Sequence, residues 1–466
     1  MLTERLARFV TETRTADIPP AVLVGARDAL TDTVGVALAG SLEPVGEIIT
    51  RWITEVGAKP QCALWGSALA SSPAEAAFAN GICAHALDFD DSLTTLRGHP
   101  SAPMVSAALA VGEVVGASGA DVLAAYALGL EVAGKLGRVL GHGHYLRGWH
   151  VTATIGVFSS TAAAARLWGL DASALCRTWG LAASQMSGLI RNFGTMTKPF
   201  HAGHAARCAV QSVWMARAGF TADGAIFDGK DSVIATYRGD DGMALAEALD
   251  LLGKPWEMQE PGIYVKRWPC CYCNHRPIGG MLELIAQHGI RADEVRAIEV
   301  GFLPGSDTAL VSTDPHTGLE GKFSIEYCAA ATVLDGKLTL ESFTDLMVER
   351  PAIRELIKKV RRYRVASDKM YSGIVGYTDV AIDTARGRFE TRVERTPGSP
   401  AWPMTETDRM EKFMDCAGRV LGEPAARRLL GLAQSCANLP DIRELLRATV
   451  PLARNAAATR EPQAAR

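Results

Sequence analysis

Residues 150–168, HVTATIGVFSSTAAAARLW, place alanine, glycine, serine and threonine on every face of the helix they would form. Such a helix has no charged face to offer water, and its small side chains invite close neighbours, so other helices must surround it. The flanking sequence supplies them. A helix over 20–39 opens on the Pro19–Pro20 pair, which suits a first turn. Met104, Ala108, Val111 and Val115 form one apolar stripe over 104–115. Ser118 with Asp121 three places on resembles a capping box, and Asp171 caps a further helix through about residue 185.

The pattern changes after GKPWEMQEPG at 253–262. Residues 295–302, 377–383 and 388–394 alternate as strands do, and TARG joins the last two as a hairpin turn. Helical stretches at 277–289, 322–335 and 351–361 lie among them, and helical spacing returns from Glu406. The expected fold is mainly α. An all-helical domain over 1–255 and 404–466 is interrupted by a smaller α+β lid domain over 256–403, and the tail from about 454 reads as frayed.

With 48% hydrophobic and 21% charged residues, the chain of 466 can bury a large core. A net charge of −3 gives no electrostatic reason to expect nucleic acid or an anionic membrane as partner. The apolar windows at 101–117 and 151–165 are too short and polar for a membrane span. The opening MLTERLARFVTETR has no signal-peptide core, so a cytoplasmic protein is expected. The ten cysteines are scattered, except for Cys270, Cys271 and Cys273 beside His275. Adjacent cysteines seldom reach one tetrahedral ion and no second ligand pair follows, so no metal is expected there.

Ionisable groups collect in otherwise apolar stretches. HALDFDDSLTTLRGHPSAP at 85–103 holds His85, Asp88, Asp90, Asp91, Arg97 and His99. GHYLRGWHVT at 143–152 holds His144, Tyr145, Arg147 and His150, and IRNFGTMTKPFHAGH at 190–204 holds Arg191, Lys198, His201 and His204. Lys266, Arg267, His275 and Arg276 open the α+β unit. His99, His150 and Lys198 each precede an expected helix start, at 103, 151 and 200, where free N–H groups favour an anion. A lysine or histidine in an apolar setting is also easier to deprotonate and can serve as a base. Taken singly, the bland readings compete. His85, His99, His144 or His150 could each cap a helix, the aspartates could form a solvated helix end, and Lys198 could snorkel. His201 and His204 read as structural helix residues.

Five stretches, HALDFDD…GHPSAP, GWHVTATIGVF, GTMTKPFHAGHAAR, KRWPCCYCNHRP and GKFSIEYCAAATVLDG, resemble in order the signatures of the MmgE/PrpD family. That family includes dehydratases of 2-methylcitrate, decarboxylases of cis-aconitate and epimerases of iminodisuccinate. The resemblance implies a helical domain with an α+β lid, a homodimer and no metal or organic cofactor. It also implies a pocket of Asp88, Ser92, His99, His150 and Lys198, joined by Lys266 and Tyr327 from the lid. Cys271 stands where cis-aconitate decarboxylases carry a histidine, and Ser92 where a threonine is common. The family's reactions share a carbon acid beside a carboxylate, which needs a base and cations to hold enolate charge. Lys198 and His99 are the acid/base candidates, with Asp88 orienting His99. His150, Lys266 and Arg191 would hold carboxylates, and Tyr145, Arg267 and Cys271 complete the candidate substrate contacts. The expected reaction is epimerisation of a small dicarboxylate such as iminodisuccinate, ahead of dehydration and then decarboxylation. A magnesium-dependent prenyl-processing reading of DFDD lacks a second acidic cluster. A carboxylate-binding protein without turnover is the remaining class.

Overall fold

The small-residue segment is enclosed as its composition requires: every residue from Val151 to Ala165 is buried. The computed structural model describes residues 1–371 and 375–451, so the tail expected to fray from about 454 lies outside the described residues. The segment is not one helix. It forms Val151–Thr154 and Gly156–Leu167, separated at Ile155, where a three-residue bond from Phe158 N–H to the Ile155 carbonyl (2.9 Å) tightens the ladder. Around it stand Pro20–Gly40, Pro73–Ala86, Ser101–Val115, Gly119–Leu146, Ala172–Ala183 and Thr197–Arg217. The expected caps form: Ser118 Oγ accepts from Asp121 N–H at 3.1 Å, and Asp171 from Ala174 N–H at 2.7 Å. Glu406–Leu421 and Glu423–Gln434 return to pack on Pro20–Gly40. The fold is mainly helical.

Pro73–Ala86 and Thr197–Arg217, which carry much of the site, cross at unusually close range because glycines meet there. A Cβ on Gly203 would fall 2.3 Å from the Phe78 carbonyl oxygen, and one on Gly81 2.8 Å from Gly203 Cα. Gly203→Ala is therefore expected to cost about 1–3 kcal/mol of stability by overpacking. Unchanged chemical denaturation would mean that the two helices part freely.

The sheet has four strands in the order Val360–Arg364, Val295–Phe302, Thr378–Thr384, Gly387–Val393. Three match the strands read from alternation, and TARG forms the turn, with Thr384 paired to Gly387. Val360–Arg364 corrects the expected helix over 351–361, which stops at Ile357. This strand lies at the sheet edge, parallel to Val295–Phe302, and only Val360 of VRRYR is buried, so no alternation marks it. His275–His288 and Ile325–Asp335 pack together, and a second apolar core lies between them and the sheet. Ser92–Leu93 pairs with Ile263–Tyr264, joining the helical part to the sheet-bearing part beside the site. No helix among the described residues is long and apolar enough to cross a membrane.

Candidate active site

Pro73–Ala86 ends by delivering His85 and then turning sharply. Asp88 takes a left-handed φ of 50°, which a short polar side chain tolerates better than most. Lysines hold the carbonyls of this helix end in succession. Lys322 Nζ donates to Leu87 O at 2.9 Å, Lys266 Nζ to Asp88 O at 2.7 Å, and Lys412 Nζ to Phe89 O at 2.9 Å. Cations suit this position, because unpaired carbonyls and the dipole make a helix C-terminus negative.

The turn aims Asp88 at two ammonium groups. Lys198 bonds one carboxylate oxygen and Lys266 lies 3.0 Å from the other. Burial would raise the Asp88 pKa, but Lys198 and Lys266 outweigh it and hold the group ionised well below the usual carboxylate range. Lys198 does not precede its helix. It sits in the first turn of Thr197–Arg217, with Pro199 behind it. Its ammonium also donates to His85 Nε2 at 3.2 Å and lies over the rings of Phe193 and Phe323 at 5.3 and 5.4 Å. His85 Nδ1 lies 2.9 Å from both oxygens of Asp90, which places its proton there and leaves Nε2 free to accept from Lys198.

His99 is held by its backbone, whose N–H donates to Thr152 Oγ1 at 3.0 Å. Its ring lies 3.4 Å from Asp90 and 3.7 Å from Asp88, and 13% of its side chain is exposed, against none for His85. Asp88 is thus chiefly the partner of the lysines, and Asp90 is the carboxylate that orients an imidazole, namely His85. His150 stands at the N-cap position of Val151–Thr154 without a side-chain capping bond, and its Nδ1 meets Nδ1 of His201 at 2.9 Å. Burial lowers the pKa of His85 to about 3 and that of His201 to about 4, and it lowers His99 and His150 as well. All four imidazoles are neutral near pH 7.

These groups surround a cavity of about 70 Å³. Asp88, Ser92, His99, His150 and Lys198 line it with Tyr145 and Cys271, while Lys266 lies fully buried behind Asp88. Three candidates fall elsewhere. Arg191 is exposed on the turn Ile190–Asn192, because its side chain leaves the Lys198 loop on the outer face. Arg267 is exposed and pairs with Asp408 at 3.2 Å, since adjacent residues of an extended segment point oppositely and Lys266 points inward. Tyr327 is buried among Trp268, Cys270 and Phe343, with its hydroxyl donating to the Ser342 carbonyl. The aspartates are no solvated helix end either: Asp88, Asp90 and Asp91 are at most 3% exposed. Asp91 turns away toward Ser101 Oγ at 2.5 Å, and burial pushes its pKa up to about 8.

Sequence reasoning named His85 and Asp90 without assigning them to the pocket, and passed over Phe193, Phe323, Lys322 and Lys412. Their tie to the site runs through tertiary packing and leaves no local pattern. Cys271 and Cys273 line the cavity, whereas Cys270 belongs to the core around Tyr327. Among the described residues, His85, Asp88, Asp90 and His99 offer ligand atoms within 4.8 Å of one another. A divalent ion bound to Asp88 would sit against the two ammonium groups already there, so this donor set fits a metal poorly.

The neutral imidazoles have a consequence for acid stability. In the unfolded chain they titrate near pH 6.5 and bind protons that the folded protein refuses, so stability falls as pH drops below that value. The fully buried His85 and His275, both lowered to about 3, each withhold up to one proton from the folded protein and so steepen this fall down toward pH 4. Asp91 opposes them by one proton, because its raised pKa favours the folded state as pH falls. The net expectation is a urea midpoint that drops between pH 7 and 5. A constant midpoint would contradict neutral burial.

Residues 4–246 match the MmgE/PrpD N-terminal domain and residues 268–438 the MmgE/PrpD C-terminal domain. The chain belongs to the MmgE/PrpD family. Curated relatives include the cis-aconitate decarboxylase of Homo sapiens, 24% identical over 94% of this chain and 92% of that protein. That of Mus musculus is 25% identical over 96% and 93%, and that of Aspergillus terreus 23% identical over 96% and 95%. Of the MmgE/PrpD positions inferred by resemblance, all but Tyr327 gather at this one cavity or directly behind it.

Proposed function

We propose that this MmgE/PrpD protein is a cofactor-independent acid/base enzyme that moves a proton on the carbon beside a carboxylate of a small di- or tricarboxylate. The observation that carries the reading is Lys198, fixed by Asp88 and His85, facing a cavity that neutral imidazoles also line. An ammonium has three N–H donors, and Asp88 and His85 take two. The third is left for a substrate carboxylate or the enolate oxygen that forms as the proton leaves. His99, neutral and the most accessible imidazole around Asp88 and Asp90, is the proton acceptor, and Lys198 returns a proton. Epimerisation of a dicarboxylate such as iminodisuccinate uses these groups on two faces of one carbon. A lyase reading, with dehydration or decarboxylation through the same enolate, has its own support in relatives named cis-aconitate decarboxylases.

The part spanning 256–403 closes the cavity with Cys271, Cys273, Thr308 and Phe323 against Asp88, His99, His150 and Lys198, which supports assigning it as a lid over a helical domain of 1–255 and 404–466. Exposed Ile48, Trp52, Met196 and Phe200 give a second copy an apolar surface to cover, consistent with a homodimer. Incubation with iminodisuccinate, 2-methylcitrate and cis-aconitate in deuterium oxide separates the reactions. Deuterium uptake with inversion is expected. An alkene or carbon dioxide would replace epimerisation by the lyase reading, and no exchange or turnover on any acid would sink the acid/base assignment.

A further inference from the structure

His201 is one turn along the helix from Lys198, only 5% exposed, and does not line the cavity, yet its Nδ1 lies 2.9 Å from Nδ1 of His150. The contact is enforced from several sides. His150 N–H donates to Gly188 O at 3.0 Å, and Phe193 packs edge-on against the His150 ring at 4.9 Å. Gly188 has a φ of 112°, and a Cβ there would lie 2.8 Å from Ala153 Cβ and 3.3 Å from His201 Cγ. Two neutral imidazoles that share an Nδ1···Nδ1 contact hold one proton between them, so their tautomers are necessarily opposite. Neither Nε2 makes a hydrogen bond to protein among the described residues.

The cavity decides which ring donates. His150 lines it together with Lys198, and the charge that acts most strongly on His150 is that of Lys198. The titratable groups acting on His150 are Lys198, His85, His201 and His99; of the other charged groups that line the cavity with it, Arg97 is a second cation and Asp88 is paired to Lys198 and Lys266. An Nε2–H directed at a cavity that holds an ammonium is repelled, whereas an Nε2 lone pair is attracted. We infer that His201 is a positioning residue: it accepts the Nδ1 proton of His150 and thereby fixes His150 with an Nε2 lone pair directed into the cavity. His150 then takes up a proton, or accepts a hydrogen bond from a substrate hydroxyl or protonated carboxyl group. In water the Nε2–H tautomer would dominate, so without His201 the ring would present a donor instead.

The catalytic consequence rests on the acid/base reading above, but the tautomer assignment does not, and the test keeps them apart. In full-length protein labelled with ¹⁵N-histidine, ring ¹H–¹⁵N correlation spectra are recorded at pH 7.5, with His150 and His201 assigned from His150→Gln and His201→Asn. Wild-type His150 is expected to show a pyridine-type Nε2 and a pyrrole-type Nδ1. His201→Phe, which cannot accept, should convert His150 to the Nε2–H tautomer, whereas the amide oxygen of His201→Asn should preserve the wild-type pattern. A pyrrole-type Nε2 on wild-type His150, which is read even if His201→Phe does not fold, would overturn the inference, as would an unchanged tautomer in folded His201→Phe. On an acid that wild type turns over, kcat should fall about 10²-fold or more in His201→Phe, as wrong-tautomer variants do, and recover most of that in His201→Asn. Wild type inactive on every acid would remove the acid/base reading while the ring spectra still decide the tautomer.

Discussion

Lys198→Ala is expected to lower kcat/KM by on the order of 10³-fold, the scale of losing a preorganised donor to developing negative charge in a water-poor site. The loss goes beyond one hydrogen bond. Lys198 is the cation in the cavity wall that also touches both Asp88 and His85, so its removal frees His85 Nε2 and leaves Asp88 to Lys266 alone. Lys198→Arg should not rescue, because a planar guanidinium cannot occupy the slot between the Phe193 and Phe323 rings with the same donor directions. The chain should still fold, since Asp88 keeps its ion pair with Lys266 and the helix end keeps its lysine contacts. Steady-state kinetics beside a thermal melt separate the two effects. Turnover near wild type in a folded variant would remove Lys198 from the mechanism.

Asp88→Ala should show the largest stability effect of any change in the cavity wall. It would leave Lys198 and Lys266, 4% and 0% exposed, without the carboxylate that balances them. Breaking a buried pair by removing one partner costs about 3–5 kcal/mol, because the remaining charge stays desolvated. Here two ammonium groups share one carboxylate, so the upper end is expected from urea denaturation. Adding Lys198→Met to Asp88→Ala should recover part of that loss, since it removes one unbalanced charge. A single-variant loss below about 1 kcal/mol, the range of an exposed pair, would show that water reaches the lysines and that the site is not dry.

Much of this arrangement could be read from residue order, for identifiable reasons. Helices announced themselves by period and by caps such as Ser118 and Asp171, and the Thr378–Thr384 and Gly387–Val393 hairpin by alternation around TARG. The edge strand Val360–Arg364 could not be read in this way, because one buried residue makes no pattern. At the site, Asp88, His99, His150 and Lys198 were legible as ionisable groups in apolar stretches. Which carboxylate serves which base was not, because Asp88 and Asp90 are two residues apart and diverge only through the left-handed turn at Asp88. Arg191 and Arg267 misled because proximity in sequence to a pocket residue says nothing about which way a side chain leaves the backbone. Tyr327 shows that a motif match can carry a residue into the core rather than the cavity.

The lysine-bound carbonyls of Leu87, Asp88 and Phe89 bear on how the protein is made. Their ammonium partners lie 235, 178 and 323 residues further along the chain. During synthesis the helix Pro73–Ala86 can form early, but its end gains its last cation only when Lys412 has emerged and Glu406–Leu421 has docked. A chain that stops before Lys412 therefore carries Asp88 with Lys198 and Lys266 but leaves the Phe89 carbonyl without its cation. The completed capping of this helix end is in this sense a record that translation has passed Lys412.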